Sequence, residues 1–380
     1  MKDAILPPAP SKAADPSLTP LIASFDDQKE RFSRAFDILH RAIEEKSFPG
    51  ASVAITHRGA LVALQGLGHF TYEANSTPVT AETIYDLASV SKVLATTAMA
   101  MLLYQQGRLD LDAPVTSIFP DFGSSAGRKR VTLRMLLTHS SGLPGYERLY
   151  LKARNREEML AMALRTPLPC EPGTHAEYSD IGFIILGAAL EKLAAEPLDA
   201  FCHRRVFDPL ELRHTRFNPP AAWRERIAPT VNDTEFRKRL IQGEVHDENA
   251  SVMGGIAGHA GLFATARDVA SYAHCMLSAG VPLFQRETVK LFTTCVHQPP
   301  GNSAALGWDT PSKPSQSGKY FSGGSFGHLG YTGTSLWCDP VRNVSVTLLT
   351  NRTWPDCRSD AIKQVRPAFH DAVIEALDRA

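Results

Sequence analysis

The sequence predicts an α/β protein of the α+β type: an antiparallel sheet flanked by helices, with an all-helical domain inserted into it. Two strand-like runs, 51–56 and 60–67, form a hairpin whose turn contains Gly59. Two further strand-like runs, 334–338 and 344–350, lie near the end of the chain. Because a lone hairpin is only marginally stable, we expect the strands from both ends to share one sheet. The long middle is then an insertion.

The helices are predicted from the spacing of apolar residues. Over 27–46, Phe32, Phe36, Leu39 and Ile43 recur at helical spacing. Further helices are predicted over 89–106, 131–137, 155–164, 178–193, 268–279 and 360–377. The helix at 178–193 is apolar on nearly all sides and should therefore be buried. No regular element is predicted for the charged stretch 221–251.

The domain organisation follows from this order. Residues 1–26 are rich in Pro, Ala and Ser and are predicted to form a flexible N-terminal arm. Residues 27–84 and 265–380 are assigned to the sheet domain, and residues 85–264 to the mainly helical inserted domain. We expect the functional site at the junction between the two domains.

Composition narrows the class of partner. Forty basic and forty acidic residues give no net charge, which argues against nucleic acid and favours a small-molecule ester or a peptide-like substrate. No apolar run is long enough for a membrane span. No signal peptide is recognisable, which favours the cytoplasm, although removal of a leader would make the protein periplasmic or secreted. Six scattered cysteines suggest buried thiols, and neither a cofactor nor an oligomeric state is predicted.

The first candidate motif is Ser89-Val90-Ser91-Lys92. At a helix start, residues three apart lie on one face, so the Ser89 hydroxyl and the Lys92 amine can touch. A buried Lys beside other cations can lose its proton near neutral pH and activate the serine. The alternative is an N-cap serine followed by a solvated lysine.

Two further motifs follow. Tyr178 precedes the apolar helix and could act as a general base; alternatively, Ser179 or Asp180 caps the helix and Tyr178 only packs against it. The glycine-rich stretch 327–334 leads into a strand, where glycines would let a substrate approach the sheet edge and free N–H groups could hold an oxyanion. A simple turn before a core strand is the alternative there.

Taken in order, these motifs resemble those of the serine β-lactamase and penicillin-binding-protein superfamily, whose motif trio is S-x-x-K, S-D-N and K-T-G. The resemblance covers roughly residues 30–375 and includes the stretches 107–112, 131–143 and 206–210. Within the superfamily the chain is most similar to the class C-like branch, which includes family VIII carboxylesterases and peptidases acting on D-amino acids. The resemblance implies a β-lactamase-like fold and a serine hydrolase that works through an acyl-enzyme.

The resemblance also implies roles for individual residues. Ser89 is acylated, Lys92 and Tyr178 share the proton transfers, and the backbone N–H groups of Ser89 and Tyr331 form the oxyanion hole. No metal ion is needed in this scheme.

Three positions, Asp180, His328 and Gly330, correspond to substrate-binding residues. Asp180 stands where class C β-lactamases have Asn, and His328 stands where they have Lys. A neutral His and a carboxylate should both weaken recognition of an anionic β-lactam. A carboxylesterase is therefore favoured over a D-alanyl-D-alanine carboxypeptidase, a D-amino-acid peptidase or a weak β-lactamase. A catalytically inactive binding or scaffold protein is the alternative of another class.

Two rival sites are less well supported. The stretch Gly323-Gly324-Ser325-Phe326-Gly327 fits the G-x-S-x-G nucleophile motif, and Asp339, Asp356 or Asp360 and then His370 follow downstream. That motif needs a strand before it and a helix after it, whereas here a polar loop precedes it and a strand follows it. His246, Asp247, Glu248 and His259 match no zinc-ligand spacing. We interpret them as loop residues that bond to the backbone, or that bind substrate if they face the cleft.

Overall fold

A computed structural model describes residues 21–123 and 125–379. The strands are β1 (Ile22–Ala23), β2 (Gly50–His57), β3 (Ala60–Gly68), β4 (Tyr85–Asp86), β5 (Arg216–Phe217), β6 (Val231–Asp233), β7 (Arg239–Ile241), β8 (Leu262–Ala264), β9 (Phe326–Leu329), β10 (Ser335–Asp339) and β11 (Val344–Thr350). The α-helices are α1 (Gln28–Arg31), α2 (Ser33–Glu44), α3 (Ala98–Gln105), α4 (Ala126–Lys129), α5 (Leu133–Leu137), α6 (Arg156–Arg165), α7 (Asp180–Ala194), α8 (Leu198–Cys202), α9 (Glu248–Val252), α10 (Ala266–Leu277), α11 (Arg286–Thr293) and α12 (Ile362–Asp378).

Strands from the two ends of the chain form one sheet, as predicted. The order is β1-β3-β2-β11-β10-β9, and neighbours from β3 to β9 pair antiparallel. Helices α2 and α12 pack against each other and cover one face of the sheet, and α10 packs on the other face. The predicted fold class is therefore confirmed.

The structure describes only the end of the predicted N-terminal arm. Residues 1–20 of the predicted arm lie outside the described residues. Ile22 and Ala23, which were assigned to the arm, form β1 and pair parallel with Ala60 and Leu61 of β3. This parallel edge strand makes the sheet mixed, and two residues are too few to show a strand pattern in the sequence.

The middle of the chain is mainly helical but also carries a second sheet. Its strands have the order β4-β8-β5, and they lie inside the region predicted to be all-helical. The uninterpreted stretch 221–251 contains a 3₁₀ helix (Ala221–Arg226), the hairpin β6–β7 and the start of α9. The domain boundaries at residues 84/85 and 264/265 remain a prediction.

The apolar helix α7 illustrates how the sequence sets an element and its burial. Ser179 caps it by accepting a hydrogen bond from the Gly182 amide at 3.0 Å. This cap was predicted as the alternative interpretation of the motif at Tyr178. Ten consecutive residues, Ile181–Leu190, are buried. Over the part of the chain that the structure describes, no helix combines the length and apolarity needed to cross a bilayer.

Candidate active site

Ser89 lies in a tight turn that follows β4. The short 3₁₀ segment Ala88–Val90 leads into a π-helical turn, Lys92–Thr97, a local form that recurs at functional sites. Ala88 has a φ of +46°, which is unfavourable for a residue with a Cβ. The buried Asp86 carboxylate holds it there by accepting a hydrogen bond from the Ala88 amide at 2.8 Å. The backbone before the nucleophile is thus fixed in a strained turn.

Lys92 is completely buried and touches the serine. Its Nζ lies 2.8 Å from Ser89 Oγ, 2.7 Å from Asp180 Oδ1 and 3.0 Å from the His259 carbonyl oxygen. An ammonium group has three donors, and these three acceptors use all of them. The predicted contact between Ser89 and Lys92 is therefore present, together with an ion pair to Asp180.

The charge state of Lys92 differs from the prediction. Burial lowers the pKa of Lys92, but Asp180 and Tyr178 beside it together outweigh burial, and the pKa lies above its usual value. The sequence-based expectation that neighbouring cations would make Lys92 a neutral base is wrong. Its nearest charged partner is an anion, so the resting site holds an ammonium group.

Tyr178 lies beside Lys92. The Lys92 Nζ lies 4.8 Å from the centre of the Tyr178 ring, and 45% of the residue is exposed. Desolvation raises the pKa of Tyr178 to about 12, although the Lys92 charge opposes the rise. Tyr178 is therefore neutral at physiological pH, and its part in proton transfer remains a prediction.

Strand β9, at the edge of the sheet, and the loop after it form another side of the site. His328 is buried, its Nδ1 donates to the Leu329 carbonyl at 2.8 Å, and its ring lies 5.9 Å from that of Tyr178. Burial, with help from Lys92, lowers the pKa of His328 to about 3, so the ring is uncharged. Gly330 lies where a Cβ would sit 2.5 Å from the Leu87 carbonyl oxygen, and this close approach requires glycine.

Two threonines join the backbone segments that carry the predicted oxyanion-hole residues. Thr332 Oγ1 donates to the Asp86 carbonyl and Thr334 Oγ1 donates to the Leu87 carbonyl, both at 2.8 Å. These bonds tie the loop that carries Tyr331 to the turn that carries Ser89. Both residues line one cavity of about 1180 Å³, where their amides could stabilise an oxyanion.

Comparison with known proteins decides the family. The β-lactamase family model matches residues 35–368, which is most of the chain. The chain belongs to the β-lactamase family.

Relatives within this family carry several activities in their names. The chain is 32% identical over 343 residues to an N-acetylmuramyl-L-alanine amidase of Bacillus subtilis (strain 168), covering 80% of this chain and 77% of that protein. It is 33% identical over 305 residues to a putative D-alanyl-D-alanine carboxypeptidase of Escherichia coli (strain K12), covering 72% and 70%.

Solved structures share the β-lactamase-family fold. EstCE1, a hydrolase with promiscuous acyltransferase activity, matches with a TM-score of 0.75 at 23% identity, covering 91% of this chain and 99% of that one. A class C β-lactamase from Rhodobacter sphaeroides matches with a TM-score of 0.70 at 22% identity, covering the same shares. At this identity the likeness shows the fold alone.

Sequence reasoning did not single out His139, which also lines the β-lactamase-family cavity. Its Nδ1 accepts a hydrogen bond from the Ser179 amide at 3.0 Å, and its ring lies between Tyr178 and Phe183, 4.6 and 5.2 Å away. Burial, Lys92 and His328 hold the pKa of His139 well below its usual range. It belongs to the stretch 131–143, but no spacing rule linked it to Tyr178, about 40 residues later.

The four residues considered for a metal site, His246, Asp247, Glu248 and His259, all line the cavity, but they contact separate groups. His259 Nε2 lies 2.7 Å from Asp247 Oδ1, and His246 Nε2 lies 3.5 Å from Cys357 Sγ. The Tyr146 hydroxyl is 3.4 Å from Glu248 Oε2. Within residues 21–123 and 125–379, no group of three or more His, Cys, Asp or Glu side chains is arranged to hold a metal ion.

The rival nucleophile Ser325 is placed differently. It is fully buried, its Oγ lies 3.3 Å from Ser322 Oγ, and strand β9 follows it where the nucleophile motif requires a helix. His370 bonds through Nδ1 to the Gln316 carbonyl at 2.9 Å. The G-x-S-x-G match therefore lacks both the helix and the exposed hydroxyl that the motif needs.

Proposed function

We propose that this chain is a serine hydrolase that forms an acyl-enzyme on Ser89, and that it cleaves an amide bond in an anionic, peptide-like substrate. The observation that carries the first part is the 2.8 Å contact between Ser89 Oγ and a fully buried Lys92 Nζ. In the form of the site in which Lys92 has lost its proton, the serine attacks the carbonyl carbon, and the serine proton passes through Tyr178 to Lys92. The amides of Ser89 and Tyr331 stabilise the oxyanion. The C–N bond then breaks, and Lys92 gives the proton to the leaving amine.

Two buried guanidinium groups support an anionic substrate. Arg352 and Arg366 line the cavity and are 7% and 4% exposed. They donate to backbone carbonyls, Arg352 to Tyr331 at 2.6 Å and Arg366 to Gly330 at 3.0 Å. Among the described residues neither forms an ion pair, and buried charges normally have one. An anionic group of the substrate would supply the missing counter-charge.

The size of the cavity and the relatives support a peptide-like substrate. At about 1180 Å³ the cavity exceeds the usual range for a drug-sized ligand. Relatives at 32–33% identity are named as an N-acetylmuramyl-L-alanine amidase and a putative D-alanyl-D-alanine carboxypeptidase, and both names describe cleavage of an amide bond. Asp180 does not present a bare negative charge to such a substrate, because Lys92 pairs with it.

The nucleophile is tested with Ser89→Ala. We expect hydrolysis of p-nitrophenyl butyrate and labelling by a fluorophosphonate probe to be lost, because the hydroxyl that is proposed to be acylated is removed. The matched control is Ser91→Ala, which removes the neighbouring hydroxyl that contacts the Leu262 amide and should leave labelling in place. Activity of Ser89→Ala within about tenfold of the wild type would contradict the proposal, since a lost nucleophile reduces the rate far more.

A carboxylesterase is the second candidate, favoured by the uncharged His328 in place of a cation. We expect a D-alanyl-D-alanine peptide or an N-acetylmuramyl-L-alanine peptide to give the highest kcat/KM, p-nitrophenyl butyrate a lower one, and nitrocefin the lowest. An ester above both peptides would make the protein a carboxylesterase. Nitrocefin above the ester would make it a β-lactamase.

A further inference from the structure

A buried Asp–His pair lies in the same cavity as Ser89. His259 is 1% exposed, and its Nε2 lies 2.7 Å from Asp247 Oδ1. The His259 carbonyl accepts a hydrogen bond from Lys92 Nζ at 3.0 Å, and that Nζ is 2.8 Å from Ser89 Oγ. The backbone that carries this imidazole is therefore directly beside the nucleophile and its lysine.

Asp247 fixes the orientation of the ring. It caps helix α9 by accepting a hydrogen bond from the Ala250 amide at 2.7 Å, which holds the carboxylate in place. Burial raises the pKa of Asp247, but His259 and the Ala250 amide outweigh it and bring the pKa down to about 2. An ionised carboxylate only accepts hydrogen bonds, so the ring donates to Asp247 through Nε2–H, and any form of the ring that acts as a base does so through Nδ1. The lone pair is then on Nδ1.

That lone pair has no partner among the described residues. His259 Nδ1 is buried and makes no hydrogen bond with any of them. An unpaired buried acceptor is unfavourable, so a water molecule or a substrate group is expected to donate to it. His259 also lines the cavity that contains Ser89. A histidine held by a carboxylate and placed beside a nucleophile is the arrangement used for proton transfer in hydrolases.

The other basic groups of the site are already occupied. All three donors of Lys92 are used, and its nitrogen has no lone pair while it is charged. Tyr178 is neutral, and the lone pair on His139 Nδ1 accepts from the Ser179 amide. His328 Nδ1 is used on the Leu329 carbonyl, and its pKa of about 3 makes its other nitrogen a weak base.

We propose that His259, oriented by Asp247, is the general base that activates water to hydrolyse the acyl-enzyme; this rests on the proposed acylation of Ser89. The water oxygen attacks the acyl carbonyl carbon while one water proton passes to His259 Nδ1. The bond from that carbon to Ser89 Oγ breaks, and Lys92 donates a proton to Oγ. The proton held by His259 then restores the Lys92 ammonium through solvent, which leaves a carboxylic acid and a free serine.

The test separates formation of the acyl-enzyme from its hydrolysis. With p-nitrophenyl butyrate, His259→Ala should keep the burst of p-nitrophenol and its rate of fluorophosphonate labelling. Its steady-state rate should fall at least about a hundredfold, the usual contribution of a general base. A butyryl adduct on Ser89 should accumulate in intact-protein mass spectra, and added imidazole should restore turnover. Asp247→Asn, which can still cap α9, should show the same selective loss.

The control is His370→Asn, which alters another buried histidine outside the cavity and should change neither the burst nor the adduct. Equal losses in acylation and deacylation for His259→Ala would show that His259 only positions its carbonyl under Lys92, and would overturn the proposal. Deacylation of His259→Ala at the wild-type rate would also overturn the proposal. Absence of any adduct on Ser89 in the wild type would instead overturn the acyl-enzyme mechanism itself.

Discussion

At the scale of single residues, the neighbour of Lys92 determines its chemistry. Asp180 and Lys92 form an ion pair at 2.7 Å, with no side-chain exposure for the lysine and 18% for the aspartate. Asn at this position would accept the same hydrogen bond without a charge. The carboxylate stabilises the ammonium form, so Lys92 acts first as a proton donor and as a base only after losing its proton.

This pairing predicts the pH dependence of acylation. Because the pKa of Lys92 is raised by Asp180, the basic form becomes populated as pH rises, and kcat/KM should increase into the alkaline range. Asp180→Asn removes the anion, lowers the pKa of Lys92 and should shift this rise to lower pH. The measurement is kcat/KM for p-nitrophenyl butyrate from pH 6 to 10.

Glu177→Gln is the control, because Glu177 accepts from the Gly145 amide nearby and makes no contact with Lys92 in the described structure. An unshifted pH profile in Asp180→Asn would show that Asp180 does not set the charge of Lys92. An equal shift in both variants would point to a general change in local charge.

The contacts within the motif were predictable, and the electrostatics were not. Ser89 and Lys92 are three residues apart, so local geometry alone brings them together. Asp180 is 88 residues further along the chain and His259 is 167, and their contacts with Lys92 depend on how α7 and the loop before β8 pack. A sequence pattern does not contain that information.

At the scale of elements, α7 and the loop that carries His259 approach closely at two glycines. A Cβ on Gly187 would lie 2.7 Å from Gly258 Cα, and one on Gly258 would lie 2.1 Å from the Phe183 carbonyl oxygen. Gly258 directly precedes His259, whose carbonyl binds Lys92. The packing of a buried helix thus sets the position of the carbonyl that binds Lys92.

Gly187→Ala tests this packing. Alanine favours a helix over glycine by about 1 kcal/mol, but overpacking costs about 1–3 kcal/mol, so we expect net destabilisation and a lower kcat. Urea unfolding and p-nitrophenyl butyrate turnover measure the two effects. Gly323→Ala is the control, because a Cβ there meets nothing within 4 Å. Unchanged stability and activity in Gly187→Ala would mean that the loop shifts freely.

Long elements were predictable from periodicity, and short ones were not. Helices α7 and α12 lie within about two residues of their predicted bounds, because several turns of apolar spacing define each one. The helix predicted over 27–46 is instead divided into α1 and α2. Strands β1, β4, β8 and β9 contain two to four residues, too few for an alternating pattern. Strands β4, β8 and β9 lie close to the site. The sequence therefore predicted the contact between Ser89 and Lys92 better than it predicted the strands around them.

At the scale of the whole molecule, several ionisable groups are buried in one protonation state. Burial lowers the pKa of His246 to about 4 and the pKa values of His328 and His370 to about 3. Burial also raises the pKa values of Asp86 and Asp309 to about 6. These two sets have opposite effects on stability as the pH falls.

The histidines should dominate and make the fold sensitive to acid. A base with a lowered pKa in the folded state adds stability that is complete above pH 6.5 and is lost as pH falls toward 3–4. A carboxyl with a raised pKa adds stability as pH falls from 6 to 4. These three histidine shifts, to which the lowered pKa of His139 adds in the same direction, exceed the two smaller aspartate shifts. The unfolding free energy at pH 5 should therefore be lower than at pH 7.5 by at least on the order of 3 kcal/mol. Calorimetric Tm values at the two pH values measure this. His370→Asn should reduce the difference, and the exposed His203→Asn should not. A Tm that is flat or rises toward pH 5 would show that the histidines are not held neutral in the fold.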